Sequence, residues 1–459
     1  MPPRAQLRRE VPATPAQLRW LATRRPAEFP LLLDSAASAG ALGRYSILFG
    51  LPEDSLLLRG DGRLEGRDTG RGNFLEAFDE WWQREQQPGG GTELPFHGGW
   101  ALYLAYELAA QIESGLQIPA LEAGAICAVA LRVRAAIVYD HERDRCQVIA
   151  ESGCDTQFER LLAALAAVPP AAGELAPAPP TALGAGLSEQ HAEAYRDVVL
   201  RAQCHIAAGD IYQANLSRGW RLDVGAHQDA AQLYENLRSA NPAPFAAYAS
   251  LPGLTLLCSS PERLVRVRGG RVETRPIAGT RPRSGAAGAD AGEQSQLLAN
   301  PKERAEHVML IDLERNDLGR ICRAGSVEVS EYMVTESYRH VHHIVSNVRG
   351  VLRAGITPGQ VLRAVFPGGT ITGCPKYRCM QIIGELEGEA RGAYTGSLGY
   401  VNLDGTMDLN ILIRTATLRA HELSFRAGAG IVADSDWQRE LDETRAKAQG
   451  MVRAFGGAP

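Results

Sequence analysis

Short apolar runs punctuated by turn residues dominate the first third of the chain. "SILFG" and "SLLLRGDGRLEG" read as strands, and "LRVRAAIVYDHERDRCQVIAE" reads as two strands whose charged middle is a hairpin turn. "QQPGGGTELP" predicts a flexible loop. The pattern changes at 168–187, "VPPAAGELAPAPPTALGAGL", which is rich in Pro, Ala and Gly, nearly uncharged, and reads as a linker. It separates an N-terminal region, 1–167, from a second region, 188–459. The second region opens with a helical pattern, "SEQHAEAYRDVVLRAQCHIAAGD", that Gly209 ends. Strand patterns follow: "RLVRVRGGRVETRPI" turns at Gly-Gly, and "GYVNLDGTMDLNILIRTATLRAHELSFRAGAGI" turns at Asp404-Gly405. Strand–helix alternation with a GxGxxG or GxxxxGK loop is absent, so the pattern predicts an α+β fold: a large, mainly antiparallel sheet with helices outside it.

Two segments with helical periodicity carry paired acids. "PKERAEHVMLIDLERND", 301–317, follows Asn300, and the Asn-Pro pair suits a helix start. Three helical residues rotate about 300°, so Glu303 and Glu306 lie roughly 60° apart on one face, while Val308, Leu310 and Ile311 are expected to supply buried surface. "ADSDWQRELDETRAKAQGMVRAF", 433–455, capped by Ser435 or Asp436, places Glu440, Glu443 and Lys447 on one face and Leu441, Ala448, Val452 and Phe455 elsewhere. Each pair alone is compatible with a solvated face, and Glu303 falls where a capping-box carboxylate would sit. Four carboxylates brought together would repel unless a hard cation lay between them. Mg²⁺ takes one or two carboxylates, several waters and an anionic substrate, so an inner pair could bind it and an outer pair hold its waters.

Composition narrows the setting. A net charge of −5 and 45% apolar content over 459 residues suit a globular enzyme and offer no basic surface for nucleic acid. The eight cysteines show neither metal-ligand spacing nor a nucleophile-elbow pattern, and no signal peptide or membrane-length apolar run is present, so a reducing cytoplasm is expected. Only three of the 48 basic residues are lysine, namely Lys302, Lys376 and Lys447, and all lie after residue 300. In so arginine-rich a chain, a remaining lysine is either chance or a place where a compact point charge is needed that a guanidinium cannot replace. Anion-binding ground lies nearby: "FPGGTITGCPK" offers Gly368, Gly369, Gly373, Thr370, Thr372 and Lys376, and "RAGAGI" offers Gly428 and Gly430 at a strand end. Either loop is equally a tight turn. Arg414, in the apolar run "LNILIRTA", is expected in a buried strand with an anionic partner.

"PKERAEHVMLIDLERNDLGRIC", "FPGGTITGCPKYRCMQII", "GAYTGSLGY" and "ADSDWQRELDETRAKA", in that order, resemble the chorismate-utilising enzymes, a family that includes anthranilate synthase component I, aminodeoxychorismate synthase component I and the isochorismate and salicylate synthases. The resemblance is dense from 188 to 455 and looser before it. It implies an anthranilate synthase component I-like two-sheet α/β sandwich with the site between the sheets. It makes Glu306 and Glu443 direct Mg²⁺ ligands and Glu303 and Glu440 holders of its waters. The ring carboxylate of chorismate would meet the metal, the amides of Gly428, Ala429 and Gly430, and Lys447; Lys376 lies in the same ground. Tyr394 and Arg414 would hold the enolpyruvyl carboxylate, Thr370 would lie near the ring, His343 corresponds to the family's active-site histidine, and Glu262 to the acid that helps the C4 hydroxyl leave. His340 and His342 receive no role.

Two positions sort the family's chemistries. Water-adding members resemble one another in a lysine base where this chain has Gln213; glutamine has no useful basicity, which points to ammonia as nucleophile. The "PIxGT" motif holds a lysine in many aminodeoxychorismate synthases, but here it holds Ala278, as is usual in anthranilate synthases. Against that single residue, the compact N-terminal half, "EFPLLLDSAASAGALGRYSILFG", "PFHGGWALYLAYELA" and "GIVADSD" look more like the aminodeoxychorismate synthase component I branch, and the whole-chain resemblance is given the greater weight. An inactive chorismate-binding homologue is a third reading. "LLLDSA" and "NPAPF" match segments that bind tryptophan in the family, through Asp34, Ser35, Asn241, Pro242 and Phe245. Ammonia is expected from a separate glutaminase subunit of the class I glutamine amidotransferase type.

Overall fold

The computed structural model describes residues 6–37, 41–67, 72–88, 93–169, 186–225, 228–282, 292, 295, 299–337 and 341–456. The 168–187 segment therefore falls almost wholly outside the described residues, as do His340, positions 89–92 of the expected loop, and the side chains of Lys302 and His342.

Two antiparallel sheets make up the fold. The first runs, in order, Leu7–Val11, Arg145–Ala150, Ala135–Asp140, Tyr45–Gly50, Leu31–Asp34, Phe245–Leu251, Leu254–Ser260, Thr415–Arg419, Glu422–Ile431, Gln213–Asp223 and Ser188–Glu189, with Gly373–Cys374 added beside Gln213. The second runs Ile277–Pro282, Val341–Val351, Arg271–Thr274, Arg263–Arg268, Met407–Asn410, Ser397–Asn402, Gly99–Leu104, Ile126–Val133, Ser55–Arg59 and Leu64–Gly66, with Glu328–Ser337 on the far edge of Val341–Val351. The pairings Leu31–Asp34 with Phe245–Leu251 and Gly99–Leu104 with Ser397–Asn402 join the two halves of the chain within each sheet. The expected hairpins are present; Gly269 and Gly270, both at positive φ (59° and 74°), make the two-residue turn between Arg263–Arg268 and Arg271–Thr274.

Strand alternation explains the layering. One face of each sheet contributes to a shared apolar core that includes Phe49, Phe78, Trp81, Phe96, Trp100 and Tyr400, whose rings meet edge-on. The outer face of the first sheet buries Leu32, Leu48, Leu257 and Phe425 against Pro15–Arg24, Asp155–Ala166, Ala230–Ala240 and Trp437–Phe455. Among the described residues, no helix is long and apolar enough to cross a membrane.

The chain changes sheet twice at one place. Leu254–Ser260 leaves the first sheet and becomes Arg263–Arg268 of the second, while Met407–Asn410 of the second becomes Thr415–Arg419 of the first. The crossings lie side by side: the Ile411 N–H donates to the Glu262 carbonyl at 3.0 Å, Ser260 Oγ donates to the Ile411 carbonyl at 2.5 Å, and the Ser259 N–H donates to the Arg414 carbonyl at 3.1 Å. Arg414 is thus not in a strand. It sits at the crossing with φ at +49°, a left-handed turn that ends one strand before the next begins. The run "LNILIRTA" stays apolar across this break because Ile411 and Leu412 pass through the core between the sheets.

Candidate active site

Pro301–Gly319 and Trp437–Phe455 deliver the acids. Asn300 caps the first helix, its Oδ1 accepting the Glu303 N–H at 3.5 Å, and Asp436 caps the second by accepting the Arg439 N–H at 3.0 Å; Ser435 accepts the Val432 N–H instead. Leu310 and Ile311 are buried as expected, but Val308 is 41% exposed. Its neighbour His307 takes the inward direction, with Nε2 2.6 Å from Ser346 Oγ, so the next residue, about 100° further round, faces out.

The two acidic faces meet across the last residues of Glu422–Ile431. Glu306 Oε1 accepts from Gln213 Nε2 at 3.0 Å, and Lys447 Nζ lies 2.8 Å from Glu443 Oε1 and 3.0 Å from the Gly428 carbonyl. A Cβ at Gly430 would stand 2.4 Å from Gln213 Nε2 and 3.2 Å from Glu306 Oε1, so only glycine leaves room for that pair. A Cβ at Gly428 would meet the Tyr394 hydroxyl at 2.7 Å. Beyond Phe425 this strand is paired on one side only, by Gln213–Asp223, so the segment holding Gly428, Ala429 and Gly430 has an edge without a strand partner among the described residues. Burial holds Glu306 above the ordinary carboxylate range; Gln213 and Lys447 oppose that shift, and Glu443 and Glu303 add to it. Partial burial opposes the Lys447 ammonium, whose side chain is 40% exposed, and Glu443, Tyr394 and Glu306 raise its pKa overall. Glu440 is buried on the same helix and, with Glu443, faces the buried Tyr195.

Hard oxygen donors in mutual repulsion are what a divalent cation relieves, so Glu306, Glu443, Glu303 and Glu440 fit Mg²⁺ in chemistry. Among the described residues, no three ligating side chains converge on one point.

The sheet-switching crossings supply the second half of the site. Glu262 is 4% exposed, and burial pushes its carboxyl up to about 7, against the pull of Thr370, the Ile277 N–H (3.4 Å from Oε1) and Lys447. The Thr370 hydroxyl is near enough to Glu262 to act on it, but it is buried without a hydrogen bond to any described residue. Ala278 follows Ile277 directly and is buried opposite Ile344; His343, the next residue along that strand, is also buried. Glu262 therefore lies beside Ile277 at the start of Ile277–Pro282, the strand that carries Ala278 and pairs with the strand of His343. Lys376 is drawn elsewhere: its Nζ binds the Asp317 carboxylate and lies 3.5 Å from the Val365 carbonyl.

Of the residues matched to the tryptophan-binding segments, Asp34, Ser35 and Phe245 line a different cavity of about 1050 Å³, together with Tyr45, Pro244 and Arg263 among others. Asn241 and Pro242 do not line it; Asn241 Nδ2 donates to Ser259 Oγ at 3.1 Å.

Sequence reasoning missed Glu314, which is 6% exposed and lies eleven residues, close to three helical turns, beyond Glu303. That spacing puts it on the acidic face, a signal available in "ERAEHVMLIDLE".

The architecture matches a solved structure throughout: the crystal structure of anthranilate synthase component I from Streptococcus pneumoniae superposes with a TM-score of 0.79 at 32% identity, covering 90% of this chain and 93% of that one. The chain belongs to the chorismate binding enzymes, whose family pattern matches residues 53–453. It is 38% identical over 442 residues to aminodeoxychorismate synthase component 1 of Bacillus subtilis, covering 93% of this chain and 91% of that one. It is 39% identical over 444 residues to anthranilate synthase component 1 of Streptomyces coelicolor, covering 94% and 84%. The inactive-homologue reading gains no support from these relatives.

Proposed function

We propose that the chain aminates chorismate with ammonia, dependent on Mg²⁺, to give 4-amino-4-deoxychorismate, the precursor of 4-aminobenzoate for folate synthesis. The observation that carries amination is the state of Gln213. Its Nε2 is committed to Glu306, and its buried Oε1 has no donor among the described residues, which suits it to accept an N–H from ammonia and not to deprotonate water. Glu262, protonated near neutrality, gives its proton to the C4 oxygen; the C4–O bond breaks, water leaves, nitrogen bonds to carbon, and the incoming amine surrenders a proton in turn. Mg²⁺ held by Glu306 and Glu443, with Glu303 and Glu440 on its waters, would fix the ring carboxylate and draw electrons from the ring. Tyr394 and Arg414 orient the enolpyruvyl carboxylate. Ala278 offers no amine to add at C2, so ammonia must reach C4 without a lysine adduct. Ammonia would come from a separate class I glutamine amidotransferase chain.

Ala278 also carries the second reading, direct amination at C2 to give anthranilate. Incubation with chorismate, Mg²⁺ and ammonium, with and without a lyase specific for aminodeoxychorismate, separates them by chromatography. 4-Aminobenzoate formed only with the lyase is the expected result; anthranilate formed without it overturns C4 amination.

A further inference from the structure

Three pieces of the proposed substrate site come from distant parts of the chain: Thr370 in the 3₁₀ turn Gly369–Ile371, Tyr394 in the loop after Lys376–Glu387, and Gln213 at the start of its strand. One buried guanidinium joins all three segments. Arg391, its side chain 1% exposed, donates from Nη1 to the Ile371 carbonyl at 3.1 Å and from Nη2 to the Asn215 carbonyl at 2.7 Å, and its Cζ lies 5.5 Å from the centre of the Tyr394 ring. Glu387 fixes the plane of the fork, accepting from Nε at 2.9 Å and from Nη2 at 2.7 Å, and Nη1 also meets Thr395 Oγ1 at 3.5 Å, so every guanidinium N–H is committed to protein. Glu107 holds the main chain of the same loop: its Oε1 accepts the Arg391 N–H at 2.7 Å and the Gly392 N–H at 3.1 Å. The Asn215 side chain repeats the bridge, its Nδ2 lying 3.3 Å from the Ile371 carbonyl and 3.5 Å from the Tyr394 hydroxyl.

We propose that Arg391 is a positioning residue: by tying the carbonyls of Ile371 and Asn215 to the face of the Tyr394 ring, it sets Tyr394 against the Thr370 turn and the Gln213 strand. An ion pair alone would need less. Glu387, which also accepts from the Ser217 N–H and hydroxyl at 2.8 Å each, could be matched by a point charge, whereas the two carbonyl bonds need the planar fork that lysine lacks. With its donors committed, Arg391 acts through Tyr394. The Tyr394 hydroxyl in turn stands 2.7 Å from where a Cβ at Gly428 would lie, so the ring it orients reaches the segment expected to receive the ring carboxylate.

Tyr394 as the holder of the enolpyruvyl carboxylate rests on the function proposed above, so the kinetic test reads chorismate loss, whichever product forms, and a second test needs no turnover. Arg391→Lys keeps the charge beside Glu387 and removes the fork; kcat/KM should fall about a hundredfold, the scale of a misplaced binding group. Tyr394→Phe should then cost less in the Arg391→Lys background than in the parent. Equal losses in both would mean that Arg391 does not act through Tyr394 and would overturn the proposal. If Arg391→Lys does not fold, Arg391→Met combined with Glu387→Gln, which removes the fork and the buried carboxylate charge together, takes its place in the cycle. Hydrogen exchange in the unliganded chain reads the geometry directly: in Arg391→Lys the amides of 371–373 and 394–396 should exchange about tenfold faster or more, while those of Phe245–Leu251 keep the parent's rate. Acceleration spread evenly over all segments would make Arg391 merely structural and overturn the proposal, as would unchanged exchange in both loops. If chorismate is not consumed at all, the proposed function fails, while the exchange pattern still decides the positioning.

Discussion

The molecule treats two of its buried acids in opposite ways. In the cavity of about 1050 Å³, Asp34 is saturated: Arg238 Nε donates to it at 2.9 Å, the Tyr234 hydroxyl at 3.2 Å and Ser46 Oγ at 3.4 Å. At the sheet crossings, Glu262 has no cation within salt-bridge reach among the described residues, and burial pushes its carboxyl up to about 7, so that about half of it holds a proton at neutral pH; Thr370 Oγ1, and Gln213 Oε1 beside Glu306, lack hydrogen bonds to the described residues. A buried polar atom without a partner costs free energy that folding alone would remove. Under the proposed function, substrate and ammonia would complete the network at Glu262 and Gln213, whereas Asp34 already has its donors.

The largest break in this contrast is Glu262→Gln. Loss of the general acid should lower chorismate turnover about 10²–10⁴-fold, with the fold intact by circular dichroism. Gly430→Ala comes next: a methyl 2.4 Å from Gln213 Nε2 must displace the Gln213–Glu306 contact. The Mg²⁺ concentration for half-maximal rate should rise about tenfold or more, as for a lost support of a metal ligand.

A smaller effect sharpens the contrast through stability. Glu262 has a folded pKa of about 7 against an ordinary 4.5. Its favourable contribution is therefore fully present below the unfolded value and is lost as pH rises through the folded one. Glu262→Gln should leave Tm nearly unchanged at pH 4.5 and raise it at pH 8, by the equivalent of about 2–3 kcal/mol. Thermal unfolding at the two pH values checks the sign. The smallest effect belongs to the saturated acid: an incoming ammonium group must displace Arg238 from Asp34, so added tryptophan should leave the rate at subsaturating chorismate unchanged. Inhibition in that assay would show that the Asp34 network opens.

The contrast also separates what the chain announces from what it conceals. Gly269-Gly270 and Asp404-Gly405 flanked by alternating residues are local signals, and they produced the antiparallel class; the helix caps at Asn300 and Asp436 and the paired acids were equally local. What stayed hidden depends on contacts distant in sequence. The crossing at Ile411–Arg414 leaves no break in hydrophobicity, because Ile411 and Leu412 pass through apolar core, so Arg414 read as strand. Val308 read as buried because an apolar residue was preferred over His307, whose inward turn depends on Ser346 from a distant strand. Glu314 was visible as helical spacing, but its burial beside Gly369 was not.

The most direct test of the account is chorismate consumption by the purified chain with Mg²⁺, with and without ammonium. Loss of chorismate that requires ammonium is the expected result, because the open carbonyl of Gln213 and the proton on Glu262 await an amine and a leaving hydroxyl. Consumption at the same rate without ammonium, or none in either case, would contradict it.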